Sequence, residues 1–172
     1  MREVAEIGRV LHSLRGVWDE EAVDELDHAL QSAARAVDDG ADDELVLAAA
    51  LHDLAHSPLF EHHAGVEQHD CFARDWLTPR FGERVGWLAG AHVAAKRYLA
   101  ATDPDYTLSD VSALSLQHQG GAGVDATYVG HPWWPDALRL RRYDDAAKDP
   151  QGRGATVDDV LAVAERVVRQ GN

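Results

Sequence analysis

Residues 42–56 of the chain, DDELVLAAALHDLAH, decide the fold. After three acidic residues the apolar positions run almost without interruption, which predicts a central helix over about 42–55 that is buried on nearly all sides. His52 and Asp53 interrupt this run, and a buried imidazole or carboxylate costs free energy unless it is paired or ligated. An adjacent His and Asp can offer nitrogen and oxygen to metal ions, and His56 follows one turn later on the same face. The stretch therefore predicts a metal site centred on His52 and Asp53.

Helical periodicity also dominates the rest of the chain, and no stretch shows the alternation of a strand. The further predicted helices cover about 2–14, 22–37, 67–76, 83–99, the segment from the N-cap Ser109 to Gly120–Gly121, 135–147 and 156–169. Residues 57–65 have no clear period and are predicted to form a loop. The prediction is an all-α bundle in which residues 1–172 form a single domain, with a core over about 21–148 and a C-terminal helix over about 156–170.

The composition narrows the classes of partner. A formal net charge of −14 argues against nucleic acid, because phosphate backbones recruit Lys and Arg. The single cysteine, Cys71, excludes an internal disulfide framework and favours a reducing compartment, so we expect a cytoplasmic protein. The first residues form no basic region and no long apolar run follows them, which predicts neither a signal peptide nor a membrane span. The sequence leaves open whether the chain is a monomer or a dimer.

The chain has ten histidines, many for its size, and several fall on or beside predicted helices. His28 lies beside the apolar stripe of the second helix, and His69 opens the helix that follows the loop. His92 lies one turn before Lys96, so the two side chains share a face. A lone histidine at the edge of a core is usually structural, and each of these gains weight only from the others.

Asp144 is ambiguous from sequence alone. It follows Arg139, Arg141 and Arg142, and a salt bridge to one of these arginines is the interpretation that the spacing favours. A ligand set that includes it has four imidazoles and two carboxylates, which suits iron or manganese better than copper(I) or a thiolate zinc site. Six ligands are more than one metal needs if a position is to stay open, whereas two metals bridged by Asp53 would use them all. The set comprises His28, His52, Asp53, His69, His92 and Asp144.

Six segments together resemble a known family. The similarity covers about residues 21–148, and the segments after the His-Asp pair are more specific than the pair itself. The chain resembles the HD-domain oxygenases of organophosphonate breakdown, the PhnZ-like mixed-valent di-iron enzymes. The segments that carry the resemblance are LDHALQSA (26–33), ALHDLAH (50–56), GVEQHD (65–70), HVAAKRYL (92–99), LSDVSALSLQHQGG (108–121) and RRYDDAAK (141–148).

The resemblance implies a role for each matching residue. The six-ligand set would hold two iron ions, Fe2+ and Fe3+, bridged by Asp53, with His52, Asp53 and Lys96 at the catalytic centre. Without the resemblance, Ser112 and Ser115 would be interpreted as polar residues on a helix surface. The residues implied to surround the phosphonate are Lys96, His56, Ser112, Ser115 and Gln119.

The resemblance also implies a reaction. The substrate would be a small 1-hydroxyalkylphosphonate, and O2 would be the co-substrate. Oxygenation of the hydroxylated carbon would cleave the C–P bond and give phosphate and a carboxylic acid. A primary amine at C2 of the substrate would give glycine, and a trimethylammonio group would give glycine betaine.

The chain departs from the resemblance before the first ligand. Relatives that form glycine carry a Tyr and a Glu there, whereas this chain keeps Glu21 but has Trp18 in place of the Tyr. An indole cannot ligate iron as a phenol can, which leaves the role of the Tyr without a counterpart. Because Trp is the best cation–π face, Trp18 and Glu21 are predicted to bind a cationic group of the substrate. The alternative is that Trp18 simply packs against the first helix.

Two other function classes remain open from sequence. Most HD-domain proteins are similar to metal-dependent phosphohydrolases, and the same ligands could activate water for attack on a phosphate ester or nucleotide. A non-catalytic HD protein that acts in regulation or binding is the third class, although an intact six-ligand set argues against it.

Overall fold

The computed structural model describes residues 2–18, 22–60 and 68–171. Throughout this part of the chain the regular secondary structure is helical, which confirms the predicted all-α class. Two 3-10 turns, Leu54–His56 and Pro58–Phe60, follow the third helix. The helices are α1 (Arg2–Ser13), α2 (Glu25–Asp38), α3 (Asp43–Leu51), α4 (His69–Phe81), α5 (Glu83–Gly90), α6 (His92–Thr102), α7 (Asp110–His118), α8 (Ala126–Val129), α9 (Trp134–Ala146) and α10 (Val157–Gln170).

Helix α3 is the centre of the fold, as its apolar sequence predicts. Every residue from Leu45 to Leu51 is buried, because α2, α5, α9 and α10 all pack against this helix. Asp42 caps its N-terminus by accepting a hydrogen bond from the backbone N–H of Leu45 at 2.9 Å. Each fully buried leucine contributes about 1.5–3 kcal/mol of burial free energy, so α3 anchors the other helices.

The end of α3 differs from the prediction. The helix stops at Leu51 rather than at residue 55, and Asp53 has left helical geometry, with φ −102° and ψ 20°. Leu54 stays buried in the 3-10 turn that follows, so the apolar pattern continues past the true helix end. In a continuous α-helix, adjacent side chains point about 100° apart. The early end therefore changes the direction in which Asp53 projects relative to His52.

Other helix boundaries also differ from the predicted ones. The predicted helix over 83–99 is two helices, because the chain bends at Ala91, whose N–H bonds to the carbonyls of Trp87 and Leu88. His92 is consequently the first residue of α6. Helix α4 continues to Phe81, past the predicted end at 76. It stops at Gly82, whose φ of 95° favours glycine.

Helix α7 differs from the core helices in the contacts that hold it in place. Ser109 caps it as predicted, accepting from the N–H of Ser112 at 3.2 Å, and Gly120 and Gly121 end it with positive φ angles. Among the described residues, none of its apolar side chains belongs to the hydrophobic core. No helix in the described ranges combines the length and apolar character that crossing a membrane requires.

Candidate metal centre

Two groups of donor atoms meet at the end of α3. The four-ligand group consists of His28, His52, Asp53 and Asp144. The three-ligand group consists of Asp53, His69 and His92. The structure thus brings all six predicted ligands together from α2, the end of α3, α4, α6 and α9.

Asp53 belongs to both groups, and its two oxygens face different partners. Oδ2 lies 3.1 Å from Nε2 of His52 and 3.5 Å from Nε2 of His28. Oδ1 lies 3.6 Å from Nε2 of His69 and 3.5 Å from Nε2 of His92. One carboxylate therefore presents one oxygen to each group, which is the arrangement that a bridging ligand requires.

Backbone carbonyls orient three of the imidazoles. Nδ1 of His28 lies 3.0 Å from the carbonyl of Ala147, and Nδ1 of His52 lies 2.9 Å from that of Ala49. His92 repeats the arrangement, with Nδ1 2.6 Å from the carbonyl of Ala89. A histidine that ligates a metal usually donates its other ring N–H in this way. Each Nε2 is thereby directed at the donor groups.

Asp144 satisfies both interpretations that the sequence leaves open. Arg141 Nη1 donates to its Oδ2 at 2.5 Å, so the expected salt bridge exists. The same carboxylate lies 3.4 Å from Nε2 of His28 through Oδ1 and 3.4 Å from Nε2 of His52 through Oδ2. The salt bridge holds the carboxylate against the imidazoles instead of excluding it from their group.

The charges of the four-ligand group balance within it. Burial lowers the pKa of His28, but Asp144 and Asp53 outweigh it and raise that pKa to about 10. Burial opposes the same effect at His52, whose pKa the two carboxylates raise well above its ordinary value. Although burial raises the pKa of Asp53, His52 and His28 hold it well below its usual range. The same carboxylates would favour a metal cation bound to these imidazoles.

The two groups fit the donor requirements of metal ions. Two ligand atoms that each lie about 2.1 Å from one metal are about 3.0–3.4 Å apart, depending on the angle between them. The nitrogen–oxygen distances within the groups, 3.1–3.6 Å, lie within that spacing or up to 0.2 Å above it. Imidazole and carboxylate together suit iron, manganese or similar ions. A metal ion in the four-ligand group would have few coordination positions left open. A metal ion in the three-ligand group would have more than one position left for other molecules.

A cavity of about 320 Å³ opens beside the groups. Five of the six predicted ligands line it, and His52 lies fully buried beneath them. All the residues predicted to surround the phosphonate, from His56 and Lys96 to Gln119, also line this cavity. Sequence reasoning missed four of the polar side chains in its wall, which are Glu25, His118, Arg141 and Lys148.

The two lysines of the chain converge on one wall of the cavity. Lys96 Nζ donates to Oγ of Ser115 at 2.8 Å, and Lys148 Nζ donates to Oγ of Ser112 at 2.9 Å. Lys96 is buried, and burial together with the nearby Arg141 lowers its pKa to about 8. An anion in the cavity would favour the charged form of this amine. Lys148 closes the segment RRYDDAAK (141–148), so the resemblance included it without assigning it a role.

Two further residues of the predicted site stand apart from this geometry. Trp18 is 63% exposed and does not line the cavity. Glu21 lies outside the described residues, so the predicted pairing of Trp18 with Glu21 stays a prediction. Gln119 lines the cavity, and its buried Oε1 has no hydrogen-bond partner in the described part of the chain.

Comparison with known proteins gives three relatives. The chain is 39% identical over 143 residues to hydroxymethylphosphonate dioxygenase of Gimesia maris, covering 75% of this chain and 70% of the relative. It is 31% identical over 140 residues to an uncharacterized protein of Acanthamoeba polyphaga mimivirus, covering 74% and 64%. It is 30% identical over 167 residues to the glycine-betaine-forming [1-hydroxy-2-(trimethylamino)ethyl]phosphonate dioxygenase of Leisingera caerulea, covering 82% and 81%.

The chain matches no protein-family model. The alignments with the two named dioxygenases nevertheless span most of both chains, and each reaches the identity expected of family members. The all-helical fold and the paired His/Asp groups agree with the sequence resemblance. This chain therefore belongs to the PhnZ-like HD-domain oxygenases, the family of these phosphonate dioxygenases.

Proposed function

We propose that this enzyme uses two iron ions, Fe2+ and Fe3+, and O2 to cleave the C–P bond of a 1-hydroxyalkylphosphonate with an amino or trimethylammonio group at C2. The products would be phosphate and glycine or glycine betaine. The observation that carries the proposal is that one cavity joins the two ligand groups to Lys96 and Lys148. A cavity of this size accommodates a small molecule, and its cationic wall suits a phosphonate.

The six ligands would divide between the two irons as their donor atoms are grouped. His28, His52 and Asp144 would hold one ion, and His69 and His92 the other, with Asp53 shared. Iron bound there would supply the redox chemistry that lets O2 react with a C–H bond. The protein's part is to bind the substrate, orient it and exclude water around it.

The wall that carries the two lysines would hold the phosphonate. Lys96 and Lys148 would contribute charge-assisted hydrogen bonds to its oxygens, and the hydroxyls of Ser112 and Ser115 would add directional ones. The four side chains already contact one another in lysine–serine pairs, so they are positioned before substrate arrives. The buried Oε1 of Gln119 would accept a hydrogen bond from a donor of the substrate, which removes the cost of leaving it unpaired.

The overall reaction balances with O2 as the only oxidant. A 1-hydroxyalkylphosphonate has one oxygen on carbon and three on phosphorus, whereas the products have two on the carboxyl carbon and four on phosphorus. One molecule of O2 supplies the two additional oxygens. The hydrogen on C1 and the acidic protons are distributed between the carboxylic acid and phosphate. Hydrolysis would instead add water and consume no O2.

The position of Glu25 favours a substrate that carries a cationic group. Its carboxylate is buried, lines the cavity and is not part of either ligand group. A second anion in a cavity for phosphonate repels the substrate unless the substrate also carries a positive charge. The named relatives act on both kinds of phosphonate, since the hydroxymethyl compound lacks an ammonium group and the trimethylamino compound has one.

The reaction class can be tested with purified protein loaded with iron under reducing conditions. O2 uptake and phosphate release are followed together after addition of a 1-hydroxyphosphonate, and equal amounts of O2 consumed and phosphate released are expected. Release of phosphate from esters without O2 uptake would instead identify a phosphohydrolase. The absence of both signals would favour a binding protein, and a content of one zinc with no iron would count against the di-iron proposal.

The substrate's charge can be tested with three compounds. We expect higher kcat/KM for 1-hydroxy-2-amino- or 1-hydroxy-2-(trimethylammonio)ethylphosphonate than for hydroxymethylphosphonate. Glu25→Gln should lower kcat/KM about 10-fold or more for the cationic substrates, the effect of losing a charged contact, and leave hydroxymethylphosphonate unaffected. An equal loss for all three compounds would exclude a charge-recognition role for Glu25. Trp18→Ala tests the predicted cation–π contact, which fails if the preference for methylated over primary amines is unchanged.

A further inference from the structure

Arg141 is a buried cation between two carboxylates. It lies on α9 and is only 3% exposed. Nη1 donates to Oδ2 of Asp144 at 2.5 Å, while Nε donates to Oδ2 of Asp145 at 3.1 Å and Nη2 donates to its Oδ1. Arg141 thus makes a two-pronged pair with Asp145 and a single hydrogen bond with Asp144.

Tyr106 completes this arrangement. Its hydroxyl donates to Oδ2 of Asp145 at 2.6 Å and accepts from Nε of Arg141 at 3.0 Å. Tyr106, Arg141 and Asp145 together form a cluster that we call the arginine brace. Every arm of the guanidinium is therefore occupied, and its plane is fixed by two partners on the side away from the ligand groups. A guanidinium held in this way is far less free to rotate than one held by a single carboxylate.

The charge distribution of the brace matters to Asp144. One cation faces two carboxylates, Asp144 and Asp145, so it cannot neutralise both of them. Asp144 consequently keeps a net negative charge with which it can bind a metal ion. If Asp145 lost its charge, Asp144 would be the sole counterion of Arg141. The stronger ion pair would then compete with the metal for Oδ2 of Asp144.

We propose that the arginine brace positions Asp144 for metal binding, with Asp145 and Tyr106 as positioning residues that neither touch the metal nor the substrate. The proposal rests on the two-iron centre proposed above. Oδ2 of Asp144 is fixed by Arg141, which leaves Oδ1 directed at His28 and both oxygens within reach of the four-ligand group. Outer hydrogen bonds of this kind typically change metal affinity or activity about 10- to 100-fold.

The test is an anaerobic titration of the full-length apoprotein with Fe2+ against a competing chelator, which requires no turnover. Asp145→Asn should weaken one of the two iron-binding steps about 10- to 100-fold and leave the other near its wild-type value. Tyr106→Phe removes only one hydroxyl and should weaken the same step by less. After the loaded proteins are partly oxidised with O2 to the Fe2+/Fe3+ state, both variants should alter the electron paramagnetic resonance signal.

The chain offers a matched control in which the neighbouring arginine of α9 pairs with an aspartate outside that helix. Arg142 Nη2 lies 3.2 Å from Oδ2 of Asp103, in a pair that is more exposed than the brace. Asp103→Asn therefore makes the same chemical change beside the neighbouring arginine, and iron affinity should not change. Melting temperatures of the apoproteins, measured without iron, separate loss of metal from loss of folding.

The outcomes are distinguishable. Wild-type affinity for both irons in Asp145→Asn and Tyr106→Phe would overturn the proposal, as would an equal loss in Asp103→Asn. If Asp145→Asn does not fold, Tyr106→Phe decides by itself. Wild-type affinity at both iron-binding steps of Tyr106→Phe would then overturn the proposal. Wild-type protein that binds two irons but consumes no O2 with phosphonate would refute the proposed function, while the titration would still test the brace.

Discussion

The four-ligand and three-ligand groups share Asp53 but are supported differently. His28 and Asp144 come from α2 and α9, which pack on the central helix, and His52 is fully buried beneath the cavity. His69 and His92 are instead the first residues of α4 and α6. One half of the centre is thus enclosed by the core and has four protein ligands. The other half has fewer ligands and is where we expect substrate and O2 to react.

The largest expected effect comes from the residue that both halves share. Asp53→Asn removes the negative charge and replaces one of the two oxygens with an NH2 group, so one ligand group loses its oxygen donor from residue 53 and the other keeps only a neutral one. We expect iron to fall well below two ions per chain. Phosphate release should drop by more than the roughly 100-fold that outer hydrogen bonds account for. Metal analysis combined with the O2 and phosphate assay measures both. Retention of two irons would show that Asp53 is not a bridge.

The difference between the halves predicts unequal effects of removing one histidine from each. His92→Ala leaves two ligands in the three-ligand group, and we expect that iron to be lost while the other stays. His28→Ala leaves three ligands in the four-ligand group, so both irons should be retained with weakened affinity. Iron content after a fixed exposure to chelator measures the contrast. Equal losses in the two variants would mean that ligand number does not distinguish the halves.

The cationic wall should affect substrate binding rather than metal binding. Lys96→Met removes a buried charge whose hydrogen bonds contribute about 1.5–3 kcal/mol, so KM for the phosphonate should rise about 10- to 150-fold with two irons retained. Lys148→Met should have a smaller effect, because Lys148 is only half-buried. Steady-state kinetics and metal analysis on the same preparations test this pair. Loss of iron in Lys96→Met would assign that lysine to the metal centre instead.

The smallest expected effect tests whether the loss of iron in the ligand variants simply follows from a lower free energy of unfolding. Thr156 and Asp159 form a capping box at the start of α10, with the Asp159 N–H donating to Thr156 Oγ1 at 3.1 Å. Thr156→Ala should lower the free energy of unfolding by about 1 kcal/mol, a shift of about 2–4 °C in Tm for a chain of this size. Iron content and kcat should be unchanged. Iron loss here would weaken every inference drawn from the ligand variants.

The sequence predicted the features of the fold that depend on the pattern of neighbouring residues. The all-helical class and the buried course of α3 follow from apolar spacing, which neighbouring residues determine. The end of α3 was predicted wrongly because Leu54 keeps the apolar pattern through a 3-10 turn. The break at Ala91 was also missed. Alanine favours helices, so nothing in its type indicates a bend.

The site was harder to predict, because its residues meet only through the fold. Spacing along α9 assigned Asp144 to a salt bridge with an arginine, and that bridge exists. It could not reveal that α2 and α3 bring two imidazoles to the same carboxylate. The resemblance supplied that step. Glu25 matched no motif, and Arg141 and Lys148 lie in the segment RRYDDAAK (141–148) without an assigned place in the cavity, so the shape of the cavity identifies all three as part of its wall.

The loose attachment of α7 has a consequence for how such enzymes diversify. The helix supplies the serines of the cavity wall but none of the apolar core among the described residues, and lysine hydrogen bonds hold its polar face. Substitutions on α7 can therefore alter the shape and polarity of the cavity at little cost in folding free energy, because no core packing depends on them. Changes on this one helix could thus admit other phosphonates while the ligands on α2, α3 and α9 stay in place.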